Sequence, residues 1–294
     1  MLYRCYAKVN LTLEILGRRS DGFHELASLV HTVSLGDDLH VAPANELLTR
    51  VEGLDIDPET NLVSRAAALL SVTLKERQGA ELSLVKRIPA AAGLGGGSSD
   101  AAATLVALNR LWGTQLGFTA LIKMAAELGS DVPFFLRGGA ALMRGRGEAL
   151  EPLPPRIGRW LVLLVPPHDV LDKTRRLYGA LVREDFSDGE RTARVAERFR
   201  RGQDLQETEL VNGFERPARA VFSGLSEAWR QAEALCARRF FLSGAGPALF
   251  ALAANRADAQ LQVARLGASA YAVRTVKHAR ASIRVALPSS IKYA

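Results

Sequence analysis

Residues 8–15 read Lys-Val-Asn-Leu-Thr-Leu-Glu-Ile, polar and apolar in unbroken alternation. That period of two predicts a half-buried strand, with Lys8 and Asn10 on the face opposite Val9 and Leu11. Asp21-Gly22 marks a turn, and Leu26 to Val41 predicts one or two further strands. Asn61 to Val72 has helical spacing, and Glu81 to Lys86 alternates again before Pro89. From Ala101 to Trp112 the period lengthens, placing Leu105, Leu108 and Trp112 on one helical face. A second helix is predicted from Thr119 to Leu128, stopped at Gly129, and a strand from Gly138 to Arg146. Leu150 to Trp160 holds three of the twelve prolines and reads as a domain junction. Trp160 to Val165 then predicts a buried strand, and Lys173 to Leu210 a charged helical region. Phe240 to Pro247 is a strand running into a glycine turn. No internal repeat or low-complexity tract interrupts the pattern.

Composition narrows the class. With 294 residues, 48% hydrophobic and 23% charged, the chain has the balance of a soluble globular protein with room for two domains. It is too apolar for extended disorder. Two cysteines, Cys5 and Cys236, cannot staple a chain of this size and fit a reducing cytoplasm. The apolar runs, such as Trp160 to Val165, are far short of the ~20 residues of a spanning helix. Arg4, Lys8, Asn10 and Glu14 interrupt the N-terminal stretch, so it does not read as a signal peptide. The net charge of +7 asks for an anionic partner: nucleic acid, an anionic membrane or a phosphorylated metabolite. The densest basic stretch, residues 173–202, has nine Lys/Arg against five Asp/Glu but few aromatics, and reads as a solvated helix face.

The most informative stretch is Pro89-Ala-Ala-Ala-Gly-Leu-Gly-Gly-Gly-Ser-Ser-Asp100, between a strand and a helix. A helix start offers backbone N–H groups without partners, and glycine lets the backbone close around an anion. Gly93, Gly95, Gly96 and Gly97 with Ser98 and Ser99 therefore read as a phosphate cradle, against the plainer reading of a loop capped by a serine. It is neither a Walker A loop nor a dinucleotide fingerprint. Asp100, one turn into the helix, is expected to serve the helix dipole.

This loop resembles the second motif of the GHMP small-molecule kinases. Tyr6-Ala-Lys-Val-Asn-Leu resembles their first motif and Leu242-Ser-Gly-Ala-Gly-Pro-Ala-Leu-Phe250 their third. Gly17 to Leu26, the triple glycine at 95–97 and Leu128-Gly-Ser-Asp-Val-Pro-Phe-Phe135 are similar to one branch, whose acceptor is a cytidine diphosphate-linked methylerythritol. The resemblance implies a two-domain α/β (α+β) fold, with a ribosomal-protein-domain-like N-terminal half and a ferredoxin-like C-terminal half. The expected boundaries are 1–155, 156–285 and a tail at 286–294. It implies transfer of the γ-phosphoryl group of ATP, carried with Mg²⁺ and no protein-held metal, to the acceptor's 2-hydroxyl in isoprenoid precursor synthesis. It also implies a cytoplasmic monomer or weak homodimer without nucleic-acid or membrane partners.

Residue by residue, the resemblance makes Lys8 and Asp131 the catalytic pair and Asn10 a substrate ligand. Phe23 and His24 would recognise the cytosine, closed from the other side by Thr174 and Tyr178. Lys86, Pro89, Gly93, Leu94, Gly95, Gly96, Gly97, Ser98 and Ser99 would form the nucleotide site. Taken alone, Asp131 reads as a helix N-cap before Val132-Pro133, and Lys8 as a solvent-facing strand lysine. Gly213 departs from the family, which has aspartate there, and the charged segment 180–207 carries no part of the resemblance.

Overall fold

The structure is a computed structural model that describes residues 1–53, 61–73, 78–168, 172–278 and 280–283; the tail expected at 286–294 lies outside these. Alternation in the first forty residues produces two long antiparallel strands, β1 (Leu2–Arg18) and β2 (His24–Ala44), joined at the Asp21-Gly22 turn. The stretch read as one or two strands is thus a single strand. Next come β3 (Leu47–Glu52), α1 (Leu62–Ser71), β4 (Gly79–Val85), α2 (Gly96–Leu111), α3 (Phe118–Leu128), α4 (Val132–Arg137), β5 (Ala140–Gly145) and β6 (Ala149–Leu153). The Asn61 side chain caps α1 by accepting from Val63 N at 2.9 Å.

The second half contains β7 (Trp160–Leu164), α5 (Lys173–Gly179), α6 (Glu190–Arg200), β8 (Val211–Asn212), α7 (Glu215–Val221) and α8 (Leu225–Cys236). It continues with β9 (Phe241–Leu242), β10 (Leu249–Ala253), α9 (Arg256–Leu266), β11 (Ala270–Arg274) and β12 (Arg280–Ile283). The charged helical region is broken: Gly189, in the left-handed conformation at φ +80°, starts α6 anew. That helix is not wholly solvated, since Val195, Ala196 and Phe199 bury one stripe of it.

Among the described residues the strands form two sheets. The larger has the order β12-β1-β2-β4-β3, with β5 on β2, β6 on β5 and β8 on β1. The smaller is antiparallel, β11-β7-β10-β9. Helices α1 to α4 cover one face of the larger sheet. Its other face packs on the smaller sheet through Val9, Leu11, Leu29, Leu161, Leu163 and Phe250. Period two along β7 shares out the cores: Leu161 and Leu163 face the large sheet, while Val162 and Leu164 face Trp229 and the helices beyond.

The half-buried reading of residues 8–15 is therefore corrected, because all of these residues are buried. The irregular register between Tyr6 and Lys8 contributes. Before it, odd-numbered Tyr3 and Cys5 lie in the helix-side core; after it, odd-numbered Ala7, Val9 and Leu11 lie in the core between sheets. A bulge of this kind re-aims side chains without breaking the strand. It leaves polar Lys8 and Asn10 buried on the side facing α2.

His31 ties the halves together. Its Nδ1 lies 2.9 Å from Thr32 O and its Nε2 accepts from Arg156 N at 3.1 Å, so the neutral Nδ1–H form satisfies both contacts. Burial pushes its pKa down to about 4, against the weaker upward pull of the Thr32 carbonyl. The unfolded ring gains its proton near pH 6.5 and the folded ring only near 4. Stability should thus fall by about 3 kcal/mol as pH drops through this window. Denaturant titrations at several pH values check this, and His31→Gln should remove that part of the slope.

Candidate active site

Three segments, far apart in sequence, meet over the bulge in β1. The glycine loop comes first. Helix α2 begins at Gly96, earlier than the sequence pattern indicates, with Gly95 at the N-cap in the left-handed conformation, φ +72°. Neither serine caps the helix, which overturns the capping reading. The N–H groups of Gly96, Gly97 and Ser98 find no acceptor among the described residues. They form an uncapped helix start with partial positive charge, suited to phosphate.

The segment after β9 comes second. Its Gly244 and Gly246 turn against Gly93, and Ala248 N donates to Ala92 O at 3.0 Å. A Cβ on Gly93 would stand 2.4 Å from Ser243 O, so the two turns touch backbone to backbone. Asn212 braces this turn, donating to Leu242 O and Gly244 O, both at 2.9 Å. Its neighbour Gly213 donates its N–H to Leu13 O, and a Cβ there would lie 3.0 Å from Ile15 Cγ1. A larger residue at 213 would need Ile15 to give by a few tenths of an ångström.

The catalytic candidates come third. Lys8 is only 5% exposed, which overturns its reading as a solvent-facing lysine. Its Nζ donates to Asn10 Oδ1 at 2.5 Å and lies 3.6 Å from Asp131 Oδ2. Asn10 in turn donates to Ser28 Oγ at 2.7 Å, which fixes its amide. Asp131 precedes α4 but makes no side-chain capping bond; its carboxylate, 37% exposed, faces the cleft and Lys8 instead. Buried charge is tolerated where it is paired and hydrogen-bonded, and Lys8 has both kinds of partner.

A cleft of about 1530 Å³ joins these groups to an aromatic wall. His24 and Tyr178 lie with ring centroids 5.1 Å apart, Phe186 stands edge-on to His24 at 5.9 Å, and Phe214 edge-on to Tyr178 at 4.9 Å. Phe23 is 53% exposed, with the Arg146 guanidinium 4.5 Å above its ring. Thr174 lines the same wall. Burial, and then Arg18, lower the pKa of His24. Burial, and then Asp131, push that of Tyr178 up to about 12. Both rings are therefore neutral at ordinary pH and free to stack and hydrogen-bond.

The expected nucleotide residues divide into two groups. Ser98 lines the cleft and Gly97 is exposed beside it. Leu94 and Ser99 are buried behind the loop, where Leu94 O accepts from Lys8 N at 2.9 Å. Half-buried Pro89 stands at the loop's entry. Lys86 is held beneath the loop: its Nζ is 2.5 Å from Asp37 Oδ2 and 2.8 Å from Asp100 Oδ2, and a Cβ on Gly96 would meet Ile88 at 3.0 Å and this Nζ at 3.2 Å.

Asp100 is accordingly an ion-pair partner, which corrects its expected dipole role. A buried ammonium needs a counter-charge more than the helix needs an acid one turn in. Burial raises the Asp100 pKa to about 7 against the pull of Lys86. Asp37, Phe186, Phe214, Arg146 and Lys173 escaped sequence reasoning. Their places in the site depend on contacts between segments far apart in sequence, which no local pattern reports.

The comparisons with known proteins identify the family. Residues 61–139 match the family profile of the GHMP kinases N terminal domain, and residues 181–272 that of the GHMP kinases C terminal. The chain is 43% identical to a 4-diphosphocytidyl-2-C-methyl-D-erythritol kinase of Dehalococcoides mccartyi, over 92% of this chain and 96% of that protein. It is 41% identical to one of Symbiobacterium thermophilum, covering 94% and 100%. A crystal structure of 4-(cytidine 5'-diphospho)-2C-methyl-D-erythritol kinase superposes with a TM-score of 0.79 at 37% identity, over 94% of this chain and 99% of that one. A homoserine kinase from Cytophaga hutchinsonii shares the fold, with a TM-score of 0.69 at 19% identity over 96% of this chain and 97% of that one. With both halves matched and identity sustained along nearly the whole length, the chain belongs to the GHMP kinase family, in its 4-diphosphocytidyl-2-C-methyl-D-erythritol kinase branch.

Proposed function

We propose that this chain is the ATP-dependent kinase that phosphorylates the 2-hydroxyl of 4-diphosphocytidyl-2-C-methyl-D-erythritol on the non-mevalonate route to isoprenoid precursors. The supporting observation is that one cleft holds both the Lys8–Asp131 pair and the wall formed by Phe23, His24 and Tyr178. A kinase for a small aliphatic alcohol needs the first but has no use for the second.

In this reading the cytosine stacks on the aromatic wall and His24 meets its hydrogen-bonding edge. Arg18, Arg146 and Arg183 line the cleft and give the substrate diphosphate a positive surround. The triphosphate lies along the free N–H groups of Gly96 to Ser98. Asp131 accepts the hydroxyl proton as the oxygen attacks the γ-phosphorus. The new O–P bond forms, the bond to the bridging oxygen breaks, and ADP leaves. Lys8 holds the carboxylate in place and offsets charge on the transferring group.

Magnesium enters with ATP and supplies charge neutralisation on the phosphates. The Ser99 hydroxyl, buried at the loop without a partner among the described residues, would be the side chain placed to hold such an ion. No described helix is long and apolar enough to cross a membrane. We place the reaction in the cytoplasm, where Cys5 and Cys236, both buried free thiols, stay reduced. The enzyme then works as a monomer or weak homodimer without nucleic-acid or membrane partners.

Inhibition kinetics test the substrate. CDP or CMP should compete with the acceptor, whereas homoserine and mevalonate should be neither substrates nor inhibitors. Replacing His24 and Tyr178 together by alanine should raise the acceptor KM by about 10²-fold or more, at roughly 1–3 kcal/mol per lost base contact, and leave that of ATP nearly unchanged. Efficient phosphorylation of homoserine would overturn the cytidine assignment.

A further inference from the structure

Lys173, at the start of α5, reaches from the second half of the chain into the cleft. Its Nζ donates to Ala91 O at 2.6 Å and to Gly246 O at 3.0 Å. Ala91 belongs to the glycine loop and Gly246 to the turn after β9, so one ammonium bridges the two backbones that pack against each other behind Lys8. Ala91 needs such a holder. Its φ of +51° is left-handed, which an L-residue with a Cβ adopts only at a cost.

We propose that Lys173 is a positioning residue for phosphoryl transfer: its protonated ammonium clamps the Ala91 and Gly246 carbonyls and so fixes the phosphate loop relative to Lys8 and Asp131. The proposal rests on the kinase reading above and deepens it.

The surroundings of Lys173 make the clamp sensitive to pH. Lys8 faces it from β1 and Asp131 from the turn before α4. Asp172 and Arg175 flank it on its own segment, and the His168 ring contacts the neighbouring Ala90 carbonyl. Burial foremost, then Lys8, lower its pKa to about 8, while Asp131 pulls the other way. The folded protein therefore holds the charged form at a cost below about pH 8, and that cost disappears as the pH rises toward the ordinary lysine value. A neutral lysine amine still has two N–H groups, but it loses the charge that makes these carbonyl contacts strong. The sign is that of a functional group kept in spite of stability: deprotonation relaxes the fold's strain and loosens the loop.

The test is the pH profile of kcat/KM for ATP in the wild type, K173M and K173R, with thermal unfolding alongside. The wild type should lose activity as pH rises past about 8. K173M should lie about 10²-fold below it at neutral pH, the scale of a misplacement near 1 Å, and stay flat through this window. Its acceptor KM should be little changed and its Tm no lower. K173R, charged throughout, should carry its activity to higher pH than the wild type. The proposal is overturned if K173M matches the wild type, or if it keeps the same alkaline limb at a lower Tm. It is also overturned if K173R and the wild type share one limb. A wild type that transfers no phosphate to the cytidine-linked acceptor would overturn the kinase reading and this one together. An active wild type with an indifferent Lys173 would overturn this one alone.

Discussion

Asp131→Asn should abolish turnover while leaving a folded protein that still binds ATP. The carboxylate makes no capping bond to α4 and is 37% exposed, and Asn10 Oδ1 still accepts from the Lys8 ammonium when the Asp131 charge is removed. Its ion-pair contact is Lys8 Nζ at 3.6 Å. The asparagine keeps the shape but cannot accept the hydroxyl proton as it forms the new bond to phosphorus. Loss of a positioned base costs roughly 10²–10⁴-fold in rate. The loss should fall on kcat, with ATP affinity by calorimetry near that of the wild type. Near-normal turnover in a clean preparation would remove Asp131 from the mechanism. Lys8→Ala should do comparable damage, because the same pair is broken from its other side.

Gly95→Val should be nearly as severe, by a different route. Gly95 sits at φ +72°, where a β-branched residue is strongly strained. Its Cβ would stand 2.7 Å from Phe135 Cζ and 3.1 Å from Lys8 Cγ. The Phe135 ring is buried in the core and cannot retreat freely. The loop must then open, moving the amides of Gly96 to Ser98 away from phosphate and pushing Lys8 out of line with Asp131. ATP affinity and kcat should both fall, together by at least about 10²-fold. Gly97→Ala is the control: the nearest atom to its Cβ is Leu62 Cδ1 at 3.4 Å, so binding should change far less. Equal losses in the two variants would show that the loop responds to any side chain, not to this contact.

The glycine loop was legible in the sequence because its chemistry is local. Four glycines and two hydroxyls between a strand and a helix say what the backbone can do before any tertiary contact forms. The Asp21-Gly22 turn was legible for the same reason. The burial of Lys8 was not, because alternation reports that a strand has two different faces and says nothing of what covers the polar one. Here a bulge and the glycine loop cover it. Asp131 looked like a cap because the residue before Val-Pro usually is one; the nearby buried ammonium of Lys8 gives its carboxylate a competing partner. Asp100 was misplaced because it was read against its own helix, whereas Lys86, from a segment outside that helix, supplies its ion-pair partner. Lys173 lies beside Thr174 in a segment that the resemblance reaches, yet its own role was not legible, since its partners are carbonyl oxygens of residues 91 and 246.

The place of β1 has a consequence for how the protein is made. One edge of this strand pairs with β2, and the other pairs with β8 at residues 12–13 and with β12 at residues 2–5. As the chain leaves the ribosome, β1 and β2 can zip up at once, yet the edge that will receive Arg280 to Ile283 stays bare until those residues emerge. A bare edge is a template for pairing with a neighbouring nascent chain. Contacts of such long sequence separation also form slowly, because the loop must close before they are gained. Chains cut short before residue 280 would carry the whole catalytic constellation and still lack the strand that seals the first one laid down.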